Sequence, residues 1–236
     1  MSHKTSHTTS HKLHAQRLLR SGKVRVLLVA LLSSLVTLGV AGAVSADLRT
    51  KPPRPNEVRF NLPSPEEAPD PFLAGGVSVG SGVPIYFSSG VGPAALNPDA
   101  PAGTPESYIN PEQFPGGELP EGITLTEAQG MNAMLRIQEN LESQGLSLTD
   151  VTSMRIYLQA PEGADRADYD GWNRAYRKWM ANVDRVSGEV IEAYEPVEYA
   201  NEVRPSRTNL EVATLPVAGW LIEIEVVATY PQGRRR

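Results

Sequence analysis

The chain has no cysteine, and its four histidines all lie within the first 14 residues. No residue after His14 can therefore supply an imidazole or a thiolate. In the remainder, this absence excludes Ser-His-Asp and Cys-His catalysis, disulfides, and zinc sites built from the usual nitrogen and sulfur ligands. Any chemistry there depends on carboxylates, arginine, lysine, tyrosine, hydroxyls and backbone amides.

Negative charge is missing from the start of the chain. Six basic residues and no acidic residue precede an uncharged run at residues 26–46, which ends in Val44-Ser45-Ala46. This layout is typical of a secretory signal peptide, and we expect cleavage after Ala46. The alternative is an uncleaved membrane anchor, since the run is long enough to span a bilayer at about 1.5 Å per residue. Both interpretations predict an exported protein, periplasmic or extracellular, which meets a membrane only if residues 1–46 remain.

Positive charge is scarce after this leader. Removing its six basic residues from the total of 22 leaves 16 against 27 acidic residues, a net charge of −11. Nucleic-acid binding needs clustered lysine and arginine against phosphates, so we expect no nucleic-acid partner. The basic run Arg234-Arg235-Arg236 lies in a tail, residues 231–236, that we expect to be solvated.

Proline and glycine divide the chain after the leader. Fifteen of the 20 prolines fall between residues 52 and 120. Residues 47–71 are predicted to be an extended linker, and residues 72–230 a single domain. A second Pro/Gly-rich stretch, residues 93–122, is predicted to be a long surface loop.

Helical spacing of apolar residues occurs twice. The first helix begins at a T-x-x-E capping box, Thr124 to Glu127, and ends before Gly145. The second begins near Ala167 and carries an aromatic stripe that indicates packing on a sheet. The stripe consists of Tyr169, Trp172, Tyr176 and Trp179. Three basic residues lie off the stripe and are expected to be solvated: Arg174, Arg177 and Lys178.

Strand-like alternation surrounds the helices. GGVSVGSGVPIYFSSG predicts two short strands, DVTSMRIYLQ one strand, and TNLEVATL and WLIEIEVVATY two more. In TNLEVATL, Leu210 and Val212 alternate with polar residues. The resulting order is β-β-α-β-α-β-β, an α+β fold with two helices against one mixed sheet. The sheet face with Glu211, Glu223 and Glu225 is too charged for a core, although Leu221 and Val227 share it, which indicates solvent or a subunit contact that encloses a polar site.

The stretch GVSVG, residues 76–80, matches the G-x-S-x-G pattern of a nucleophile elbow around Ser78. Ser78 has no histidine to take its proton. After the leader the only lysines are Lys51 and Lys178, in the predicted linker and in the second helix. We therefore interpret GVSVG as a strand whose glycines allow a close backbone approach.

Two charged residues near the last strands are candidates for chemistry. Arg207 stands just ahead of a strand, after a proline, where a rigid arginine can bind a carboxylate through two hydrogen bonds. Glu223, in IEIE, can orient or deprotonate a water. Taken singly, each is more commonly an ordinary solvated side chain.

Together with its surroundings, this pattern resembles the Rid family of reactive-intermediate deaminases, also labelled L-PSP endoribonuclease-like. RTNLEVATLP followed by IEIEVVA is similar to the family's C-terminal signature, and IYFSSG, DVTSMRIYL and WNRAY are similar to its earlier elements. The resemblance covers about residues 73–230, with insertions near 95–120 and 186–203. It implies a chorismate-mutase-like fold and a homotrimer with ligand sites between subunits, without a cofactor or metal.

The activity that the resemblance implies is hydrolysis of 2-imino acids, or their enamine tautomers, to 2-keto acids and ammonia. Arg207 falls on the arginine that binds the substrate carboxylate, and Glu223 on the residue that positions the attacking water. Ser89 falls on a pocket-lining serine, and Asn173 on an asparagine near the site. Because an imine carbon is already electrophilic, placement of a water and a proton route suffices.

Two positions depart from the family pattern. Gly75 or Gly76 stands where many members have a tyrosine, and Asn209 where they have a cysteine. Asn209 is retained among the expected substrate-binding residues. A non-catalytic trimer that binds 2-keto or amino acids is the alternative function. Ribonuclease activity is disfavoured by the net charge and the missing histidine.

Overall fold

The computed structural model describes residues 51–231. The predicted leader and most of the basic tail lie outside the described residues. Residues 52–231 belong to one compact unit. Within the described range, no helix combines the length and the apolar character needed to cross a membrane.

Six strands and two α-helices are present in the described part of the chain. The strands are β1 Val58–Phe60, β2 Val77–Val79, β3 Ile85–Phe87, β4 Val151–Leu158, β5 Ser206–Glu211 and β6 Ile222–Thr229. The helices are α1 Leu125–Ser143, between β3 and β4, and α2 Tyr169–Trp179, between β4 and β5. From β2 onward this is the predicted β-β-α-β-α-β-β order, and β1 is an additional strand that was not predicted.

The main sheet has the strand order β3-β6-β4-β5. β4 and β5 are parallel, and the other pairs are antiparallel, which confirms a mixed sheet. One face is apolar and packs against both helices, as the alternation of β4 and β6 predicts. The buried residues of these two strands are Met154, Ile156, Leu158, Ile222, Ile224 and Val226.

The stretch GVSVG does not join this sheet, which corrects the prediction of one sheet that includes it. Its strand β2 pairs with β1, and Ser78 is exposed opposite Arg59. Strand β1 lies in the segment interpreted as a linker, so that segment carries structure of its own. The close approach is confirmed at Gly80, where a β-carbon would overlap the backbone of Arg54 and Pro55. At Gly76 the space is open.

The predicted start of α1 is confirmed, and one of the two hydrogen bonds of a capping box is present. The Thr124 Oγ1 accepts a hydrogen bond from the Glu127 N–H at 3.2 Å. The Glu127 side chain instead forms a 2.7 Å salt bridge with Arg174 of α2, so it joins the two helices. Past the end of α1, Gly145 has a φ of +72°, a conformation that favours glycine.

The predicted loop over residues 93–122 is irregular, with two short 3-10 turns, Pro105–Tyr108 and Pro115–Gly117. It is more than a surface loop, because Tyr108 and its neighbour Ile109 are buried. Asn132 of α1, itself buried, donates to the carbonyls of Ala94 and Tyr108 at 2.8 Å. These hydrogen bonds fasten the segment to the helix.

The aromatic stripe of α2 packs into the core as predicted, with Trp172, Tyr176 and Trp179 buried. The expectation that Arg177 is solvated is wrong, because the residue is 4% exposed. Its guanidinium donates to the Asp70 carboxylate at 2.8 Å, which supplies the counter-charge that burial requires. The segment before β2 therefore covers this side of α2.

The side of β5 with Arg207 and Asn209 faces the helices, and the side with Leu210 faces out. Partners in register point to the same face of a sheet. Arg207 is opposite the buried Met154, and Asn209 is opposite the buried Ile156. Leu210 points to the other face and is 44% exposed. This corrects the prediction that Glu211 shares the face of Glu223 and Glu225, because Glu211 is opposite the buried Leu158. On the covered side, hydrogen bonds with α2 satisfy Arg207 and Asn209.

Candidate functional site

Arg207 is held on the edge strand β5 by contacts with α2 and with the segment before β2. Its guanidinium lies 4.5 Å from the ring centre of Tyr176 and 4.8 Å from that of Phe72. The Nη2 donates to the Asn173 Oδ1 at 2.9 Å. The Nη1 is buried and has no hydrogen-bond partner within residues 51–231. The side chain is thus preorganised, and both N–H donors of Nη1 are unused in the described residues.

Burial shifts the ionisation of both groups at this point without changing their charge at neutral pH. It lowers the pKa of Arg207, an effect that the neighbouring charge of Arg177 reinforces. It raises the pKa of Tyr176 to about 12. The guanidinium therefore stays cationic and the phenol neutral. A carboxylate placed at Nη1 would gain a charge-assisted hydrogen bond in a partly desolvated setting.

Asn209 lies on the same face of β5, two residues after Arg207. Its Oδ1 accepts a hydrogen bond from the buried Trp172 Nε1 at 3.3 Å. The structure therefore brings Arg207, Asn173 and Asn209 together at the junction of β5 and α2. Within this group, the Asn209 side chain contacts Trp172 of α2 and not the Nη1 of Arg207.

Glu223 occupies the middle of β6 on the opposite face of the sheet. In register it faces Tyr157 of β4, and neither points toward the helices. Burial, followed by the nearby charge of Glu225, raises the pKa of Glu223 above its ordinary value. A β-carbon on Gly90 would overlap the Glu223 carboxylate, so Gly90 leaves the room that this side chain occupies. Ser89, the residue before it, is exposed.

The predicted site residues therefore form two groups, which we call half-sites. The arginine half-site consists of Arg207, Asn173 and Asn209, and the carboxylate half-site consists of Glu223 and Ser89. The sheet separates them, because Arg207 shares a face with Met154 whereas Glu223 shares the other face with Tyr157. One chain does not assemble them into a single site.

Sequence reasoning missed the residues that surround Arg207. Phe72 supplies an aromatic ring near Arg207, and the residue lies just before Gly75, where the family pattern places its tyrosine. Asp70 fixes this segment by accepting from Arg177 at 2.8 Å and from Arg204 at 3.1 Å. Its aromatic side chain, close in sequence to the position of the missing tyrosine, is the signal that could have identified Phe72 as part of the site. Nothing in the local sequence indicates the pairing of Asp70.

Ionisation of Asp70 is favoured despite its partial burial. Burial alone would raise its pKa, but the hydrogen bond from Tyr194 and the charge of Arg177 hold the pKa below its ordinary value. The result is one carboxylate shared by two buried guanidinium groups. No group of three or more His, Cys, Asp or Glu side chains converges as a metal site in the described range.

A family model described as Endoribonuclease L-PSP matches residues 116–230, which include both helices, β4 to β6, Arg207 and Glu223. The chain belongs to the Rid family. Ser89 and Phe72 lie before the matched part of this Rid protein. No curated protein matches its sequence.

Several solved structures are similar to this Rid chain. One is TdcF from E. coli with bound serine, at 18% identity over 62% of this chain and 80% of that one, with a TM-score of 0.35. Another is YyfB of the Rid family from Yersinia pestis, at 20% identity over 73% and 98%, with a TM-score of 0.42. A third is a putative endoribonuclease from Thermotoga maritima, at 24% identity over 73% and 97%, with a TM-score of 0.34.

Proposed function

We propose that this Rid protein hydrolyses 2-imino acids, or their enamine tautomers, to 2-keto acids and ammonia. The observation that carries the proposal is the guanidinium of Arg207, which two aromatic rings and Asn173 hold in place while its Nη1 has no partner in the described residues. A fixed cation with an unused donor suits a substrate carboxylate, because little side-chain ordering remains to be done on binding.

Glu223 is the group that positions and deprotonates water in this proposal. Its raised pKa makes the ionised carboxylate a stronger proton acceptor than an ordinary glutamate. Water attacks the imine carbon and gives its proton to Glu223. The protonated side chain passes this proton to the nitrogen, which gives a carbinolamine with one hydroxyl and one amino group. Glu223 then takes the hydroxyl proton and delivers it to the amino nitrogen as the C–N bond breaks, so the keto group forms, ammonia leaves and Glu223 is ionised again. Arg207 holds the carboxylate throughout.

The two half-sites meet, we propose, between subunits of a homotrimer. Support comes from their placement on opposite faces of the sheet and from the exposed apolar residues on the Glu223 side. Phe87 is 69% exposed, and Leu210 and Ile85 are 44% and 43% exposed. A cyclic trimer that covers this face would place the carboxylate half-site of one copy against the arginine half-site of the next. Export of the protein remains a prediction from its leader.

The activity is tested with an imine generated in situ by an amino-acid oxidase, following release of the 2-keto acid. We expect Arg207→Ala to cost on the order of 2–5 kcal/mol of substrate binding. We expect Glu223→Gln to lower kcat by on the order of 10²–10⁴. Arg166→Ala is the control, because this arginine contacts Tyr169 outside both half-sites. Keto-acid release that matches the protein-free rate, and is the same in all variants, would refute the proposal.

Subunit complementation tests the shared site separately. We expect assemblies of Arg207→Ala chains alone, or of Glu223→Gln chains alone, to be inactive. In a co-expressed mixture, some sites combine an intact Arg207 from one chain with an intact Glu223 from the other. With equal amounts and random assembly, about a quarter of the sites are intact, so about a quarter of wild-type activity returns. Mixed assemblies confirmed by native mass spectrometry that regain no activity would place both half-sites of one reaction in a single chain.

A second function, binding without turnover, is favoured by one observation: the arginine half-site is complete within a single chain, whereas Glu223 lies on the other face. This function predicts saturable binding of a 2-keto acid that Arg207→Ala abolishes and Glu223→Gln leaves unchanged, with no keto-acid production from imines. Keto-acid release from imines distinguishes the two functions, and calorimetry measures the binding. Absence of heat with any 2-keto or amino acid would remove this alternative.

A further inference from the structure

A cavity of about 480 Å³ lies beside α2, and Asn173 is the one half-site residue among those that line it. It opens between the start of α1 and the 3-10 turn Glu192–Tyr194. Its apolar lining comes from Phe72, Ile123, Ala193 and Tyr194. This volume falls within the usual range for small-molecule sites, roughly 300–1,000 Å³. The apolar lining with a few charged groups is typical of such sites.

The charged residues around the cavity do not balance. Arg174 is neutralised by its 2.7 Å salt bridge with Glu127. Arg177 shares the single carboxylate of Asp70 with the buried Arg204, so this cluster retains one positive charge. Although the chain after the leader is strongly acidic, the charges of these three arginines and two carboxylates sum to +1. The imbalance favours an anionic ligand.

Lys178 adds a second positive charge at the same end. Its Nζ donates to the carbonyls of Tyr194 at 2.9 Å and of Glu195 at 3.5 Å. It forms no salt bridge with any residue from 51 to 231. An ammonium group has three donors, so one is left for a ligand.

The two ends of the cavity differ in charge. Asp170 also lines it, in the first turn of α2, eight residues before Lys178. At about 1.5 Å per residue, this spacing separates the two side chains by roughly 12 Å along the helix. An anionic group is therefore favoured at the Lys178 end, with the apolar part of the ligand against Phe72, Ile123 and Ala193.

We propose that this cavity binds a small organic monoanion, a carboxylate attached to an apolar or aromatic body. The site is distinct from the carboxylate clamp of Arg207, which does not line the cavity. Asn173 and Phe72 lie between the two, since each lines the cavity and contacts Arg207. The inference does not depend on deaminase activity, because it concerns binding alone.

The test is calorimetry of the full mature chain with phenylacetate and with its uncharged analogue phenylacetamide. We expect saturable binding of phenylacetate, at least about tenfold tighter than that of phenylacetamide. Lys178→Met should remove this preference for the acid. Ala193→Trp and Ile123→Trp fill the cavity from opposite sides and should each abolish binding, while Ala193→Ser, which keeps the space, should not.

Arg207→Ala separates this site from the proposed catalytic one. We expect phenylacetate to bind this variant within about threefold of the wild-type affinity. Loss of binding in Arg207→Ala would assign the acid to the arginine half-site and overturn the proposal. Absence of saturable binding, or binding that both tryptophan variants leave intact, would also overturn it. None of these three outcomes decides whether the protein hydrolyses imines.

Discussion

The carboxylate of Glu223 occupies the space that a β-carbon on Gly90 would need. The overlapping atoms are the end of a flexible side chain rather than backbone. A larger residue at position 90 would therefore displace the carboxylate and leave the strands where they are. The glycine that ends IYFSSG thus determines where the proposed water-positioning group can lie.

Gly90→Ala should lower deaminase activity at least about tenfold, because a displaced carboxylate no longer aligns the water. The thermal midpoint should change little. Gly76→Ala is the matched control, since a β-carbon there meets nothing within 4 Å. Full activity in Gly90→Ala would show that the observed position of Glu223 is not the one used in the reaction.

Glu225→Gln should move the acid limb of the pH profile of kcat/KM to lower pH. The neighbouring negative charge helps to raise the pKa of Glu223, so removing it favours the ionised form and lowers that pKa. Burial is the larger cause and remains, so the limb should stay above the position of an ordinary glutamate. An acid limb that does not move, or moves up, would contradict the role of Glu223 as the base.

Asp70→Asn should destabilise the fold by about 3 kcal/mol, because Arg177 and Arg204 would lose their shared counter-charge while 4% and 1% exposed. The effect should depend on pH. The pKa of Asp70 is lowered from 3.8, so its contribution is present above that pH and is lost as the pH falls through the folded-state value. Urea unfolding at neutral and acid pH measures this, with the exposed Asp165→Asn as control. Equal losses of stability at both pH values would argue against the ion pairs.

Asn209→Cys, which introduces the residue of the family pattern, should cost about 1 kcal/mol of stability. The reason is that the buried Trp172 Nε1 loses its acceptor. A double-mutant cycle with Trp172→Phe checks the cause. In the phenylalanine background, where no donor remains, the cost of Asn209→Cys should largely disappear. An undiminished cost there would point to packing rather than to this hydrogen bond.

Most of the fold can be predicted from local patterns in the sequence. The alternation of β4 and β6 predicts their buried faces, because each crosses the sheet with one side under the helices. β5 shows the limit of that argument. Alternation gives the period of a strand but not which side is covered, and at this edge strand the polar side of Arg207 is covered by α2.

The contacts among the candidate residues could be predicted only in part from the sequence. Arg207 and Asn173 are expected from the resemblance and do contact each other. That Glu223 lies on the other face depends on which side of β5 packs on the helices, and the sequence pattern suggests the wrong side. Phe72 and Asp70 lie in a Pro-rich segment with no periodicity, and their partners are more than 100 residues away.

The contacts of Asp70 also constrain the order in which the chain can fold. They join positions 107 and 134 residues apart in sequence. Contacts at such separations form only after a long loop has closed, and synthesis delivers the N-terminal segment first. Residues 70–74 therefore cannot complete these contacts, and Phe72 stays uncovered, until Arg204 has been synthesised. The N-terminal segment can therefore complete its contacts only when the C-terminal part of the chain is present.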